Sequence, residues 1–176
     1  MENQTYPAWK HAFVYGVYIG VVLIILSLII YVLNLFIEKW PGYISYAVLL
    51  GGIIISTIVY RNKYLKGFIS YSKSFSVGFQ VGLITTIIFG IFTFIYMTFL
   101  GEEYRSLKMI QAEEKILEFK PDISDYELAK SLEIPKFLYG PLGSTIKVLF
   151  LYILFSTLFT LIGSIFVKKE HDKNNN

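Results

Sequence analysis

The sequence predicts an all-α, polytopic membrane protein with four transmembrane helices and an amphipathic helical outer loop. Of its 176 residues, 55% are hydrophobic and only 16% are charged, whereas about a quarter of the residues in a soluble domain are charged. The charges are also segregated, because four long runs of the chain contain none. A helix of about 20 apolar residues crosses a bilayer. Since lipid offers the backbone no hydrogen-bond partner, these runs are expected to be helical despite their many β-branched residues.

The four charge-free runs define the predicted spans of a single membrane domain, residues 1–176. The spans are placed at approximately 12–37, 43–60, 75–100 and 146–167. The first run is longer than the apolar core of a signal peptide, which has about 7–15 residues, and no small-residue cleavage site follows it. The first run is therefore expected to be a span. Trp9 and Trp40 lie just before the first two spans, where aromatic rings suit the membrane interface.

The basic residues predict which side of the membrane each loop occupies. Four crossings place both termini and the second loop on one side, and that side carries Lys10, Arg61, Lys63, Lys66, Lys73, Lys168, Lys169 and Lys173. The other side carries Lys39 and a long third loop whose lysines are diluted by nine acidic residues. Short cytoplasmic loops are enriched in lysine and arginine. The pattern therefore predicts that both termini lie in the cytoplasm.

Small residues spaced four apart recur on one face of each predicted span. Such residues let two helix backbones approach closely, so they are candidates for helix packing. The candidates are Gly16, Gly20, Gly52, Ser56, Gly78, Gly82, Ser156, Thr160 and Ser164. Two uses remain open: packing within the chain as a four-helix bundle without a central pore, or the interface of a homo-oligomer.

Gln80 is the candidate for a polar contact inside the membrane. It lies between Gly78 and Gly82, beside the predicted packing face. We expect it to hydrogen-bond a neighbouring helix, which would contribute about 0.6–2 kcal/mol. Contact with a ligand is the alternative role.

The third loop, residues 101–145, is predicted to be helical and extracytoplasmic. A helix is expected from Glu102 to Lys120, followed by Pro121, with an apolar stripe formed by Tyr104, Leu107, Ile110 and Leu117. The pattern Ser124-x-x-Glu127 resembles a capping box that opens a short helix over residues 125–132. This loop is either a docking platform or lid, or an amphipathic connector that lies on the headgroups.

The sequence carries no pattern that indicates a catalytic, cofactor-binding or metal-binding residue. It has no cysteine, and His11 and His171 each lack a second ligand at useful spacing. All carboxylates lie outside the spans, which argues against ion-coupled transport, since ionisable residues inside the membrane usually mark such pathways. The net charge of +3 is too small to indicate nucleic-acid binding. We therefore expect no enzymatic activity, no cofactor and no nucleic-acid partner.

The layout resembles a bacterial family of small four-helix membrane proteins, domain of unknown function 4199, which is common in Bacteroidetes. The resemblance runs from about Lys10 to Lys169. It rests on Tyr15-Gly16, on Lys66-Gly67-Phe68-Ile69-Ser70-Tyr71 before Ser74-Phe75 and Gly78, on an acidic helical loop ending near Pro135 or Pro141, and on Leu161-Ile162 before Lys168-Lys169. It implies the architecture and no mechanism.

Two functions remain open at this stage. The first is a non-enzymatic structural or accessory component of the bacterial inner membrane, bound to the lipid bilayer and to a membrane-protein partner or to a second copy of itself. The second is a small permease or lipid-handling protein with a cavity near Gln80. The permease hypothesis requires space for a solute between the helices, whereas the accessory hypothesis does not.

Overall fold

A computed structural model describes residues 6–38 and 40–169 of the chain. Lys39 and Lys173, which were used to predict the topology, lie outside the described residues. His171, which was considered as a metal ligand, also lies outside them.

The described residues are helical from one end to the other, apart from short connections. The helices are α1 (Ala8–Val32), a 3-10 turn (Leu35–Ile37), α2 (Trp40–Tyr64), α3 (Tyr71–Phe99), α4 (Glu102–Phe119), α5 (Asp125–Ser131), α6 (Glu133–Tyr139) and α7 (Pro141–Val167). Four of them, α1, α2, α3 and α7, are long and apolar enough to cross a membrane. The predicted all-α class with four transmembrane helices is therefore confirmed.

All four long helices begin before the boundaries expected from the charge-free runs. Lys10 and Lys73 lie inside α1 and α3, because the long apolar stem of a lysine carries the ammonium group to the interface while the backbone stays helical. Pro41 and Pro141 lie in the first turns of α2 and α7, where no backbone N–H is needed.

The first span has an irregular end that the charge-free run did not indicate. The regular helix α1 ends at Val32, whereas the predicted span continues to residue 37. Asn34 follows with φ 56°, in the left-handed region, which asparagine adopts more readily than most residues. The chain then makes the 3-10 turn before α2 begins.

The chain forms two compact units. Unit 1 consists of Met1–Phe89 and Leu151–Asn176, and unit 2 of Gly90–Phe150. The interior of unit 1 contains fully buried apolar side chains, including Leu23, Leu49 and Val81. Many other apolar side chains of its helices are exposed, as lipid-facing surfaces require; examples are Val21, Ile25 and Ile87.

Unit 2 contains α4, α5 and α6, and none of these three helices has a buried residue. The helix α4 ends at Phe119, one residue before the predicted end at Lys120, and Pro121 follows it. The Ser124 hydroxyl accepts a hydrogen bond from the backbone N–H of Glu127 at 3.4 Å, which confirms that Ser124 caps α5. The helix α5 ends at Ser131.

Candidate functional site

Both glycines of α1 and one glycine of α2, Gly52, lie in direct contact with side chains of other helices in unit 1. A Cβ atom added to Gly16 would lie 2.7 Å from the Cβ of Ile84, and one added to Gly20 would lie 2.9 Å from the Cγ2 of Ile88. A Cβ atom on Gly52 would lie 2.6 Å from the Cδ1 of Ile19. These distances are shorter than any stable carbon contact, so α1 approaches α3 and α2 as closely as glycine allows.

The small residues of α3 and α7 meet each other. A Cβ atom on Gly78 would lie 2.8 Å from the Cγ2 of Thr160, and one on Gly82 would lie 2.6 Å from the Cβ of Ser156. Ile53 of α2 reaches the same place, 3.1 Å and 3.4 Å from the two added atoms. Four of the predicted packing residues therefore form one interface, which we call the α3–α7 seam.

Three hydroxyl groups in or beside the α3–α7 seam have no hydrogen-bond partner among the described residues. They belong to Ser74, Ser156 and Thr160, each only 1% exposed. Ser74 and Thr160 line a narrow cleft that also touches Ser164 and has no space for a water molecule. The seam is therefore closely packed.

Gln80 makes its hydrogen bond within α3. Its Nε2 donates to the Oγ of Ser76, one turn earlier in the same helix, at 3.0 Å. Residues four apart on a helix lie side by side, which allows this local bond. The bond to a neighbouring helix stays a prediction, since the amide has a second N–H group and an acceptor oxygen.

A buried histidine cluster lies where α1 begins and α2 ends, and the sequence analysis missed it. His11 is 3% exposed, and its Nε2 lies 2.9 Å from the backbone oxygen of Ser56 and 3.2 Å from the Ser56 Oγ. A carbonyl oxygen only accepts, so Nε2 carries a proton. The rings of Tyr15, Tyr60 and Tyr64 lie 4.4, 5.1 and 5.7 Å from the imidazole.

A signal for this cluster was present in the sequence. His11 and Tyr15 are four residues apart, and so are Tyr60 and Tyr64, which places each pair on one helix face. The two helices are antiparallel neighbours, so their ring pairs meet. His11 was considered only as a metal ligand; no group of three metal-ligating side chains occurs in the described part of the chain.

Backbone contacts fasten the N-terminal segment, the α2–α3 connection and the end of α7 to each other. The Tyr60 hydroxyl donates to the backbone oxygen of Tyr6 at 3.0 Å, and Arg61 Nη1 donates to the backbone oxygen of Val167 at 2.9 Å. Ile69 and Lys169 exchange two backbone hydrogen bonds, at 2.8 and 2.9 Å. We call this set of contacts the clasp. It brings three segments, distant in sequence, to one end of unit 1.

The helices of unit 2 expose large apolar side chains. Ile110 on α4 is 53% exposed and Phe119 is 84% exposed. Tyr104 instead packs against the ring of Tyr139 at 6.4 Å, and burial raises the pKa of its phenol, which the neighbouring Tyr139 raises further. Tyr104 thus belongs to the internal packing of unit 2, while Ile110 lies on a surface that unit 2 leaves open.

Comparison with known proteins identifies the family to which the chain belongs. Neither a curated protein nor a solved structure was found to match the chain. A sequence profile described as protein of unknown function (DUF4199) matches residues 14–169. Because that match covers nearly the whole sequence, the chain belongs to this family.

Proposed function

We propose that the protein is a non-enzymatic accessory component of the inner membrane of a bacterium, and that this bacterium belongs to the Bacteroidetes, as the family resemblance implies. We further propose that the protein binds another membrane protein through α4. In this proposal the four long helices form a closed bundle, both termini lie in the cytoplasm, and α4 to α6 lie on the opposite side.

The exposed apolar stripe of α4 carries the proposal. Leu107, Ile110 and Leu117 are spaced to share one face of the helix, and Ile110 and Leu117 are 53% and 38% exposed. Tyr104 was expected in this stripe but packs against Tyr139 within unit 2. Leu107 is half-buried, whereas Ile110 and Leu117 stay exposed within unit 2, so a second protein is the natural occupant of this exposed part of the stripe.

The charges beside the stripe specify the chemistry of that partner. Glu103 lies four residues before Leu107, and Glu114 lies four residues after Ile110, so both carboxylates lie along the stripe. A complementary surface has an apolar ridge flanked by lysine or arginine. Two copies of this chain would instead place glutamates opposite glutamates, and like-charge contacts at an interface cost several kcal/mol. A different protein is therefore favoured over a homo-oligomer at this face.

The packing of unit 1 supports an accessory role over a permease. Side chains from three other helices fill the space beside its glycines, as Ile84, Ile19 and Thr160 do. Gln80, the residue expected to line a cavity, is bonded within its own helix. A permease would need these contacts to separate during each transport event.

Site-specific photo-cross-linking in native membranes tests the proposal. A photoreactive amino acid replaces Ile110 in one variant and Lys115 in a matched control. Lys115 is also exposed but lies about 140° around the helix from Ile110. We expect a discrete cross-linked product with a second protein from position 110, little from position 115, and loss of the product when Glu103 and Glu114 are both replaced by lysine.

Two other outcomes would contradict the proposal. A product from position 110 with twice the mass of the chain would establish a homo-oligomer. Cross-linking to lipid alone would show that α4 lies on the membrane as an amphipathic connector.

A further inference from the structure

The clasp gathers an unusually one-sided set of charges. The segments that meet there are residues 6–11, 60–74 and 164–169, and they contain no aspartate or glutamate. We call these segments together the basic end. Their exposed basic side chains are Lys10, Lys63, Lys66, Lys73, Lys168 and Lys169.

Arg61, the remaining basic residue of the basic end, makes hydrogen bonds within the protein. Its Nη1 donates to the backbone of Val167, and its Nε donates to the Asn62 side chain at 3.0 Å. Arg61 therefore holds segments together, whereas the six lysine side chains are exposed, and those of Lys10, Lys63 and Lys169 lie over aromatic rings of the same end. No carboxylate within the described basic end neutralises them.

The surroundings of the lysines place the basic end at a bilayer surface. Trp9 is 61% exposed and Phe166 is 79% exposed, and the Nζ of Lys10 lies 5.6 Å from the centre of the Trp9 ring. Aromatic rings beside cationic groups are typical of the headgroup region, where the ring meets lipid and the ammonium group meets phosphate. A soluble anion would not require these exposed rings.

We propose that the basic end is a binding surface for anionic phospholipids, whose phosphate groups the six exposed lysines contact. Clusters of four to eight basic residues next to a transmembrane helix attract anionic lipid headgroups. The clasp creates such a cluster from three separate segments. This inference does not depend on the partner proposed for α4, which concerns unit 2.

The two tryptophans of the chain provide a direct test. Trp9 lies at the basic end, whereas Trp40 begins α2, at the other end of the same helix pair. Replacing Trp40 with phenylalanine leaves Trp9 as the only tryptophan, and replacing Trp9 with phenylalanine leaves Trp40 as the matched control. Each variant is reconstituted into phosphatidylcholine–phosphatidylglycerol vesicles in which only one of the two lipids carries bromine, a fluorescence quencher.

We expect Trp9 to be quenched preferentially by brominated phosphatidylglycerol, with a relative affinity about fivefold higher than for phosphatidylcholine at low salt. Trp40 should show little preference. High salt should weaken the preference at Trp9, because ions screen exposed charges. Equal preferences at the two tryptophans would overturn the proposal.

Two quadruple variants distinguish a lipid preference that comes from the basic end from one that comes from the total positive charge of the protein. Replacing Lys63, Lys66, Lys73 and Lys169 with glutamine should remove most of the preference at Trp9. The control replaces Lys115, Lys120, Lys130 and Lys136 of unit 2 with glutamine, removes the same charge, and should leave the preference unchanged. Equal effects of the two variants would contradict the proposal.

If millimolar inorganic phosphate abolished the preference at constant ionic strength, the surface would bind a soluble anion and the lipid assignment would be wrong.

Discussion

Replacing Gly82 with alanine tests the close packing of the α3–α7 seam. The new methyl carbon would lie 2.6 Å from the Cβ of Ser156 and 2.7 Å from its Oγ. Because carbon atoms attract best at about 3.5–4.0 Å, α3 and α7 would have to separate by about 1 Å. The Cβ of Ser156 is bonded directly to the backbone of α7, so a change of rotamer cannot relieve the contact.

The expected magnitude follows from a comparison with Gly51. An added Cβ on Gly51 meets no atom within 4 Å, so Gly51→Ala gains only helix propensity, about 1 kcal/mol. Gly82→Ala has the same gain but also overpacks the interior, which costs about 1–3 kcal/mol. The difference in the free energy of unfolding between the two variants isolates the cost of overpacking. We expect Gly82→Ala to be about 2 kcal/mol less stable than Gly51→Ala.

Thermal unfolding of the purified variants in mild detergent measures this difference. With about 2–4 °C per kcal/mol for a chain of this size, Gly82→Ala should unfold about 4–8 °C below Gly51→Ala. Gly52→Ala should fall between them, because the atoms it meets most closely, Cδ1 and Cγ1 of Ile19, can move by rotation of that side chain. Equal Tm values for Gly82→Ala and Gly51→Ala would refute the packing described for the seam.

Three further substitutions test other contacts of unit 1 by the same Tm measurement. His11→Phe keeps a ring but loses the bonds to Ser56, so stability should fall by about 1–2 kcal/mol; an unchanged Tm would show that the bonds contribute nothing. Gly67→Ala should destabilise by about 1 kcal/mol or more, because φ is +88° there while space is free; a rise in Tm would contradict that conformation. Gln80→Leu should change stability by less than about 1 kcal/mol, since its bond is to Ser76 in the same helix; a larger loss would indicate a bond to another helix.

The existence and order of the long helices could be predicted because lipid imposes a simple rule. A charge-free run of sufficient length has to be helical, whatever the propensity of its residues. The rule marks the hydrocarbon region and not the helix ends, so it missed the helical turns that contain Lys10 and Lys73. It also missed the end of α1 at Val32, where the left-handed residue Asn34 interrupts an apolar run.

The partners of the small residues could not be predicted from spacing alone. Glycines four apart indicate that some helix approaches closely, but they do not identify which one. The structure pairs Gly16 with Ile84 of α3, and Gly82 with Ser156 of α7. The clasp was also beyond prediction, because its bonds end on backbone atoms such as the Val167 oxygen, which carry no sequence signal.

The topology that underlies both proposals can be tested directly, because the chain has no native cysteine. Lys66→Cys places a thiol at the basic end and Glu114→Cys places one beside the α4 stripe; both positions are exposed. Each variant is treated with a membrane-impermeant maleimide in intact spheroplasts and again after lysis. We expect labelling of Glu114→Cys in intact spheroplasts and of Lys66→Cys only after lysis. Labelling of both thiols in intact spheroplasts, or the reverse order, would contradict the proposed topology.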